Sequence, residues 1–592
     1  MYSVVNLTLM KFPRLILALA ATASSLLAAD PAFELWADTL AADTMRTNPN
    51  AATNTQYFTG ADQDDLDRKL TPLTREYRAT RVVAAKNALA ELAKFDRTKL
   101  DATQRVSAAV IEWSLRSVVA AEPFADFNFV FSQFGGLQVS LVNFLSQTHP
   151  IRNRRDIENY LARLDLVAAQ VDEGIAQAAD AATRGFLMPD FITKSALGQF
   201  DRFLSDAPAK NVLVASLAER AAKLKEVSAE ERAAFVAAAE KIVGGQIIPA
   251  FRRAQTLLLT QLPLTKSDAG FWRLPGGDQA YANALRRFTT TDMTPDEVHA
   301  LGLREVARIE PVMDGLLKQL GYQGGRIKDR MARLEADRQP PAEPDPRPAL
   351  LKRYDEILAD ALKRSESVFD LRPKAPCVVK REPPFTEKTA AAHYTPPAKD
   401  GSRPGVFWAP LPGPFEMTGM RTLVYHEAIP GHHFQIALQR ETDSLPRYRR
   451  DGIYSGGSAY SEGWALYAEQ LAAENNWYEG DIVGRLGQLD DELFRARRLV
   501  VDTGLHAKRW TRQQAIDYGI KASEIERYVV FAGQACSYKV GQLKILELRA
   551  HAQQALGAKF EIKKFHNLVL QTGNVPLAVL AQVIDDWIAA TR

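Results

Sequence analysis

The stretch LVYHEAIPGHHFQ, residues 423–435, carries the strongest chemical motif of the chain and cannot form a regular helix throughout. The zinc-binding pattern H-E-x-x-H places two histidines four residues apart on a helix, where both imidazoles can hold one metal ion. Here His426 and Glu427 begin that pattern, but Pro430 occupies the fourth position after His426. Because proline lacks a backbone N–H and its ring clashes with the preceding turn, a straight helix is not expected.

Two histidines after the proline offer two ways to complete the motif. In a straight helix His433 would return to the face of His426, but ~10 Å along the axis, which is long for a shared metal ion. A widened turn at residues 428–431 would instead bring His432 round to His426, and such bulges concentrate at functional sites. We predict a distorted, metal-binding helix. A structural helix with incidental histidines is the alternative.

A second motif follows on a predicted helix, SAYSEGWALYAEQLAAE at residues 458–474. Its spacing places Glu462 and Glu469 on one helical face. A zinc site with two histidines commonly takes a Glu from a following helix as its third ligand and leaves the fourth position to water. Glu462 is the predicted ligand, unless it is only an acid favoured by the helix dipole. Glu469 is predicted either to support a ligand or to be solvated.

One further pair of residues has the spacing of a site, and two cysteines bear on the fold. The segment RARRLVVDTGLHAKRW places Asp502 and His506 four residues apart on a predicted helix. Such a pair could orient a metal ligand or bind a peptide, and a buried structural pair is an equal alternative. Cys377 and Cys536 make no disulfide framework, and the sequence leaves open whether they pair.

Helix-forming sequence dominates the chain. Residues 30–337 are rich in Ala, Leu, Glu, Arg and Lys, with apolar residues three and four apart. In residues 338–417, the Pro-rich extended pieces PCVVKRE, AAHYTPP and DGSRPGVFWAPL predict a small antiparallel sheet next to the helix that carries His426. Helices resume in residues 418–592. We predict a mainly α fold with a helical N-terminal region and a catalytic region, residues 338–592, either as separate units or as one continuous fold.

The N-terminus has the pattern of a secretory signal peptide, residues 1–29: basic residues, a short apolar run and a small-residue site. Cleavage is expected after Ala29 or Ala23, and translation could start at Met1 or Met10. The apolar run is too short to span a bilayer, and no cysteine near the cleavage site is available for a lipid anchor. We therefore expect an exported protein, periplasmic or secreted, without a membrane anchor.

The overall charge excludes one class of partner. The chain has 74 basic and 71 acidic residues, a formal net charge of +3, and no basic tract. Such a balance creates no field that would recruit nucleic acid.

The two motifs also carry a family resemblance. HEAIPGHHFQ followed by SEGWALYAEQ resembles the exported bacterial family designated domain of unknown function 885, and its layout is similar to that of gluzincin zinc peptidases. The resemblance runs over most of the mature chain. The pattern of that family ends in PGH, which implies that His432, rather than His433, is the second ligand. EGWALYAE resembles the NEGFA segment of gluzincin aminopeptidases, whose Glu binds zinc, and this implies the same role for Glu462.

The resemblance implies a function and a set of roles. We expect a gluzincin-like zinc metallopeptidase that acts on peptides, with zinc bound by His426, His432 and Glu462. Glu427 would act as general base on the zinc-activated water, and Tyr538, on a late helix, would stabilise the oxyanion. Alternatives are a metal-dependent amidase on cell-wall peptides and a catalytically silent exported binding protein on the same scaffold. The carboxylate of Glu427 counts against the silent protein.

Overall fold

The structure is a computed structural model that describes residues 28–383, 387, 390–399, 401 and 403–592. The predicted signal peptide lies almost entirely outside the described residues. The described chain is mainly helical, as predicted. The helices that precede the sheet are α1 (Pro31–Arg46), α2 (Pro49–Thr55), α3 (Gly60–Asp67), α4 (Arg75–Leu92), α5 (Ala102–Ala121), α6 (Leu137–Asn143), α7 (Arg154–Thr183), α8 (Asp190–Ser205), α9 (Val212–Ala221), α10 (Ala229–Ile242), α11 (Ile248–Gln261), α12 (Gly277–Thr289), α13 (Pro295–Gln319), α14 (Ile327–Asp337) and α15 (Arg347–Ser365).

A three-stranded sheet follows, made of β1 (Cys377–Arg381), β2 (His393–Thr395) and β3 (Gly405–Ala409). The strand order is β1-β3-β2, with β3 antiparallel to β2 and parallel to β1. The three predicted extended pieces are therefore confirmed, but the prediction of an antiparallel sheet is wrong. Because β3 inserts between two strands that run in opposite directions, it must be parallel to one of them. Helix α15 also lies in this Pro-rich region, where only extended pieces were predicted.

Helices resume after the sheet and continue to the end of the chain. They are α16 (Met420–Glu427), α17 (His432–Glu441), α18 (Arg447–Arg450), α19 (Ser458–Glu474), α20 (Ile482–Ala507), α21 (Arg512–Asp517), α22 (Ala522–Val530), α23 (Ser537–Leu556), α24 (Ile562–Thr572) and α25 (Leu577–Thr591).

The cores combine residues from distant parts of the chain. The largest contains Phe33 of α1 and Ile111 of α5 together with Trp464 of α19 and Ile584 of α25. A second core packs helices α6–α11 against α20–α22. Burial of apolar surface is the main favourable contribution to folding, so α19 and α20 are held by hydrophobic contacts with both the early and the late helices.

One helical run, residues 229–264, is long and apolar enough to cross a bilayer by length and composition alone. About a third of its most apolar window, 33%, is buried. Its buried residues, such as Val243 and Phe251, belong to the second core. A buried core helix passes the same test, and the prediction that the protein has no membrane anchor stays a prediction.

Helices α19 and α23 come very close to each other at two glycines. A Cβ atom added to Gly463 would lie 2.5 Å from the carbonyl carbon of Gly541, and one added to Gly541 would lie 1.9 Å from the carbonyl oxygen of Ala459. Only hydrogen atoms fit between the two backbones. This contact fixes the position of α19, which carries Glu462.

Gly463→Ala should therefore destabilise the protein by about 1–3 kcal/mol, since the added methyl group forces the two helices apart. Gly315→Ala on α13 is the matched control, because a Cβ there has no neighbour within 4 Å. The control should be neutral or stabilising, since alanine favours helix more than glycine does. Thermal unfolding midpoints of both variants test this, and equal midpoints would contradict the close contact.

Candidate metal centre

The HEAIPGHH stretch forms the end of one helix and the start of the next. Helix α16 ends at Glu427, and α17 begins at His432. The last turn of α16 is wide, since the Ile429 N–H donates to the carbonyl of Val424, five residues earlier, at 3.1 Å. Pro430 then offers no N–H, so the helical hydrogen bonding stops there.

Gly431 completes the break. A Cβ atom at this position would lie 1.9 Å from the carbonyl oxygen of His426, so the chain can turn back here only with glycine. The predicted distortion lies at residues 428–431, as expected, but it is a break between two helices and not a widened turn within one. The prediction of one distorted helix is therefore wrong.

The break brings two imidazoles and one carboxylate together. The ring centroids of His426 and His432 are 4.9 Å apart. Glu462 Oε2 of α19 lies 3.7 Å from His426 Nε2 and 3.4 Å from His432 Nε2. One ligand atom from each of the three residues lies within 4.8 Å of the others.

These separations fit a metal site. Tetrahedral ligands at ~2.0–2.2 Å from zinc are ~3.3–3.6 Å apart, close to the observed distances from the carboxylate to the imidazoles. Two imidazoles and a carboxylate suit zinc and also other transition-metal ions. His426, His432 and Glu462 could therefore hold a metal ion, and we call them the triad.

Glu469 contacts His426 on the side of the imidazole that faces away from Glu462. Its Oε1 lies 2.6 Å from His426 Nδ1, and its side chain is fully buried. A carboxylate at Nδ1 keeps the proton there and leaves the Nε2 lone pair for a metal ion. On the same helix, Trp464 Nε1 donates to the carbonyl of Pro430 at 2.9 Å, which ties the break to α19.

The electrostatics of the triad favour a cation. Burial alone would lower the pKa of His426, but the nearby carboxylates of Glu462 and Glu469 raise it well above its usual value. Burial opposes the ionisation of Glu462, yet His432 and His426 hold the pKa of its carboxyl below the usual range. Two carboxylates around one imidazole thus call for a positive charge, either a proton or a metal ion.

Glu427 borders the triad as the last residue of α16. It is 7% exposed, and burial raises the pKa of its carboxyl. The positive charges that most affect it are those of His426 and His432.

His433 lies outside the triad. Its Nδ1 is 2.9 Å from the hydroxyl of Tyr394 on β2, and burial lowers the pKa of its imidazole to about 4. As a neutral acceptor it links α17 to the sheet.

Asp502 and His506 also lie outside the triad. Both are completely buried on α20. Asp502 accepts hydrogen bonds from the Tyr281 hydroxyl at 2.7 Å and from the Gly533 N–H at 3.0 Å. His506 Nδ1 accepts from the Phe271 N–H at 3.1 Å. Both side chains are therefore hydrogen-bonded to core residues, which is the buried structural alternative that the sequence left open.

Tyr538 lies at the start of α23 and is half-buried. Its ring centroid is 4.5 Å from the guanidinium carbon of Arg498 on α20. Both cysteines are free, Cys377 on β1 and Cys536 just before α23.

Sequence reasoning assigned no role to the arginines of α20 or to Tyr394. Arg495 and Arg498 share a helical face with Asp502 through spacings of three and four, which was a readable signal. No sequence signal pairs Tyr394 with His433, because that contact depends on how β2 is placed against α17.

Comparison with known proteins gives a family and two structural relatives. Residues 49–584 match DUF885, bacterial proteins of unknown function. A solved structure described as a "putative lipoprotein from Colwellia psychrerythraea" is 30% identical, with a TM-score of 0.85 over 94% of this chain and 99% of that chain. A "putative lipoprotein of unknown function from Shewanella oneidensis" is 18% identical, with a TM-score of 0.70 over 94% of this chain and 100% of that one, and shows the fold alone.

No curated protein matches the sequence. Because the family match covers most of the chain, this protein belongs to the DUF885 family of bacterial proteins of unknown function.

Proposed function

We propose that this protein is an exported, zinc-dependent, gluzincin-like metallopeptidase. The observation that carries the proposal is the triad, with Glu427 directly beside it and Glu469 behind His426. A binding protein needs neither a basic carboxylate next to the ligands nor a ligand position left for water.

The roles follow from the positions. A bound zinc ion would act as a Lewis acid, lowering the pKa of a water molecule and polarising a carbonyl. Glu427 would accept the proton of the attacking water and return it to the leaving amine. Glu469 would keep His426 in the required tautomer. Tyr538 is our proposed donor to the developing oxyanion.

The proposed substrate is an extended peptide. In the sheet β3 is central, so β1 and β2 are the edge strands among the described residues. A peptide could add to such an edge through main-chain hydrogen bonds. The link from His433 to Tyr394 supports β2 as a rigid edge near the triad.

Glu427→Gln should keep the fold and the bound metal while lowering peptide hydrolysis by ~10²-fold or more, since the amide cannot take a proton. Turnover of a peptide library, with zinc content measured in parallel, tests this. Tyr538→Phe in the same assay should lower kcat to a smaller extent. Near-normal turnover of Glu427→Gln would rule out its role as base.

His432→Ala should abolish stoichiometric metal, because it removes one of three protein ligands. His433→Ala is the matched control next to it. Its side chain bonds to Tyr394 and not to the triad, so metal content should fall only modestly. Elemental analysis of both purified variants distinguishes them, and loss of metal only in His433→Ala would reverse the assignment.

Export is part of the proposal. It is supported by the signal-peptide pattern and by the 30% identical structural relative, which is described as a putative lipoprotein. The mature N-terminus should follow Ala29 or Ala23, since both end small-residue stretches after the apolar run. Mass spectrometry of protein from the periplasm or medium tests this, and an intact leader there would contradict it.

A further inference from the structure

Two arginines on neighbouring helices share a single carboxylate. Arg498 Nη2 of α20 lies 2.9 Å from Glu524 Oε2, and Arg527 Nη2 of α22 lies 3.4 Å from the same oxygen. The arginine side chains are only 6% and 17% exposed. Two guanidinium groups therefore share one carboxylate in a mostly buried place.

The same arginines have unused hydrogen-bond donors. Among the residues that the structure describes, none accepts a hydrogen bond from the buried Arg498 Nη1 or the buried Arg527 Nε. Buried donors without partners are rare in native proteins. An arginine fork that lacks an acceptor matches a carboxylate in both charge and geometry.

Aromatic rings hold the guanidinium of Arg498 in place. Its carbon lies 4.3 Å from the ring centroid of Phe494 and 4.5 Å from that of Tyr538. Its Nε donates to the Tyr528 hydroxyl at 2.9 Å. The site is therefore rigid before any ligand arrives, which favours binding because little side-chain entropy remains to be lost.

Helix contacts connect Arg498 to the helix that carries Glu462. Tyr538, whose ring centroid is 4.5 Å from the guanidinium carbon of Arg498, lies three residues before Gly541 on α23. A Cβ atom at Gly463, the residue after Glu462, would lie 2.6 Å from the Cα of Gly541. Arg498 is therefore connected to the triad through Tyr538 and the close contact of α23 with α19.

We propose that Arg498 and Arg527 bind a carboxylate of the peptide substrate, on the C-terminal side of the bond that is cleaved. This inference rests on the proposed peptidase function and names its substrate class. The carboxylate is either the free C-terminus, which would make the enzyme a carboxypeptidase, or an Asp or Glu side chain.

The test measures binding without catalysis, in full-length, zinc-loaded Glu427→Gln protein. Three fluorescent peptides of one sequence are compared by anisotropy: the free acid, the C-terminal amide, and the amide with Asp as last residue. The free acid should bind about 10-fold or more tightly than the plain amide, as for a charged hydrogen bond. Equal affinity of the Asp amide and the free acid would assign the site to acidic side chains, and weak binding of the Asp amide would assign it to the C-terminus.

Arg498→Gln, added to this protein, should remove the preference for the carboxylate. Arg527→Gln should weaken this preference, and this variant provides the test if Arg498→Gln does not fold. Arg497→Gln is the matched control, because Arg497 lies on another face of α20 and pairs with Glu310 at 2.9 Å. It should keep the full preference.

The outcomes separate the two proposals. Cleavage of peptides by the wild-type protein, without any preference for a carboxylate in binding, would overturn the carboxylate site alone. A preference that survives Arg498→Gln and Arg527→Gln would also overturn it. A preference that disappears in these variants, together with no cleavage by the wild-type protein, would leave the site standing and overturn the peptidase.

Discussion

The metal centre depends on one close approach, that of the backbone at Gly431 to the carbonyl oxygen of His426. The 1.9 Å clearance for a Cβ excludes every side chain there, and Pro430 removes the N–H that would continue α16. The two residues together allow α17 to start in a new direction. That change of direction, and not helical periodicity, makes His426 and His432 neighbours.

The break is stable because α19 braces it. Trp464 bonds to the carbonyl of Pro430, while Glu462 and Glu469 reach the two sides of His426. The contact of Gly463 with Gly541 locks α19 against α23. At the other side of α23, the buried Lys539 pairs with Glu492 of α20 at 2.7 Å and with Glu305 of α13 at 2.9 Å. A charge paired in this way in the interior fixes the register of three helices.

Much of the fold and of the metal centre could be predicted from local sequence patterns, but some parts could not. Helical texture, the three extended pieces and the candidate ligand types follow from residue type and spacing, whereas the choice of His432 over His433 rests on the family resemblance. The direction of β3, the complete break after Glu427 and the partner of His433 depend on long-range packing, which periodicity does not encode. Asp502 and His506 had the spacing of a site and became core residues, since spacing cannot distinguish a cavity from an interior. Arg498 illustrates the converse, because its importance depends on Arg527, which lies 29 positions later on another helix.

The separation of acidic and basic side chains gives the proposed site a direction. Glu427, Glu462 and Glu469 gather negative charge around the imidazoles, which a divalent cation would offset. On α20 and α22, Arg498 and Arg527 share the single carboxylate of Glu524. A substrate carboxylate would be repelled at the acidic end unless it coordinated the metal ion, and it would be attracted at the arginine end. The acidic residues and the two arginines lie on different helices, so the distance between them is set by how α20 packs beside α19. A peptide would therefore be oriented by electrostatics before any side chain is recognised.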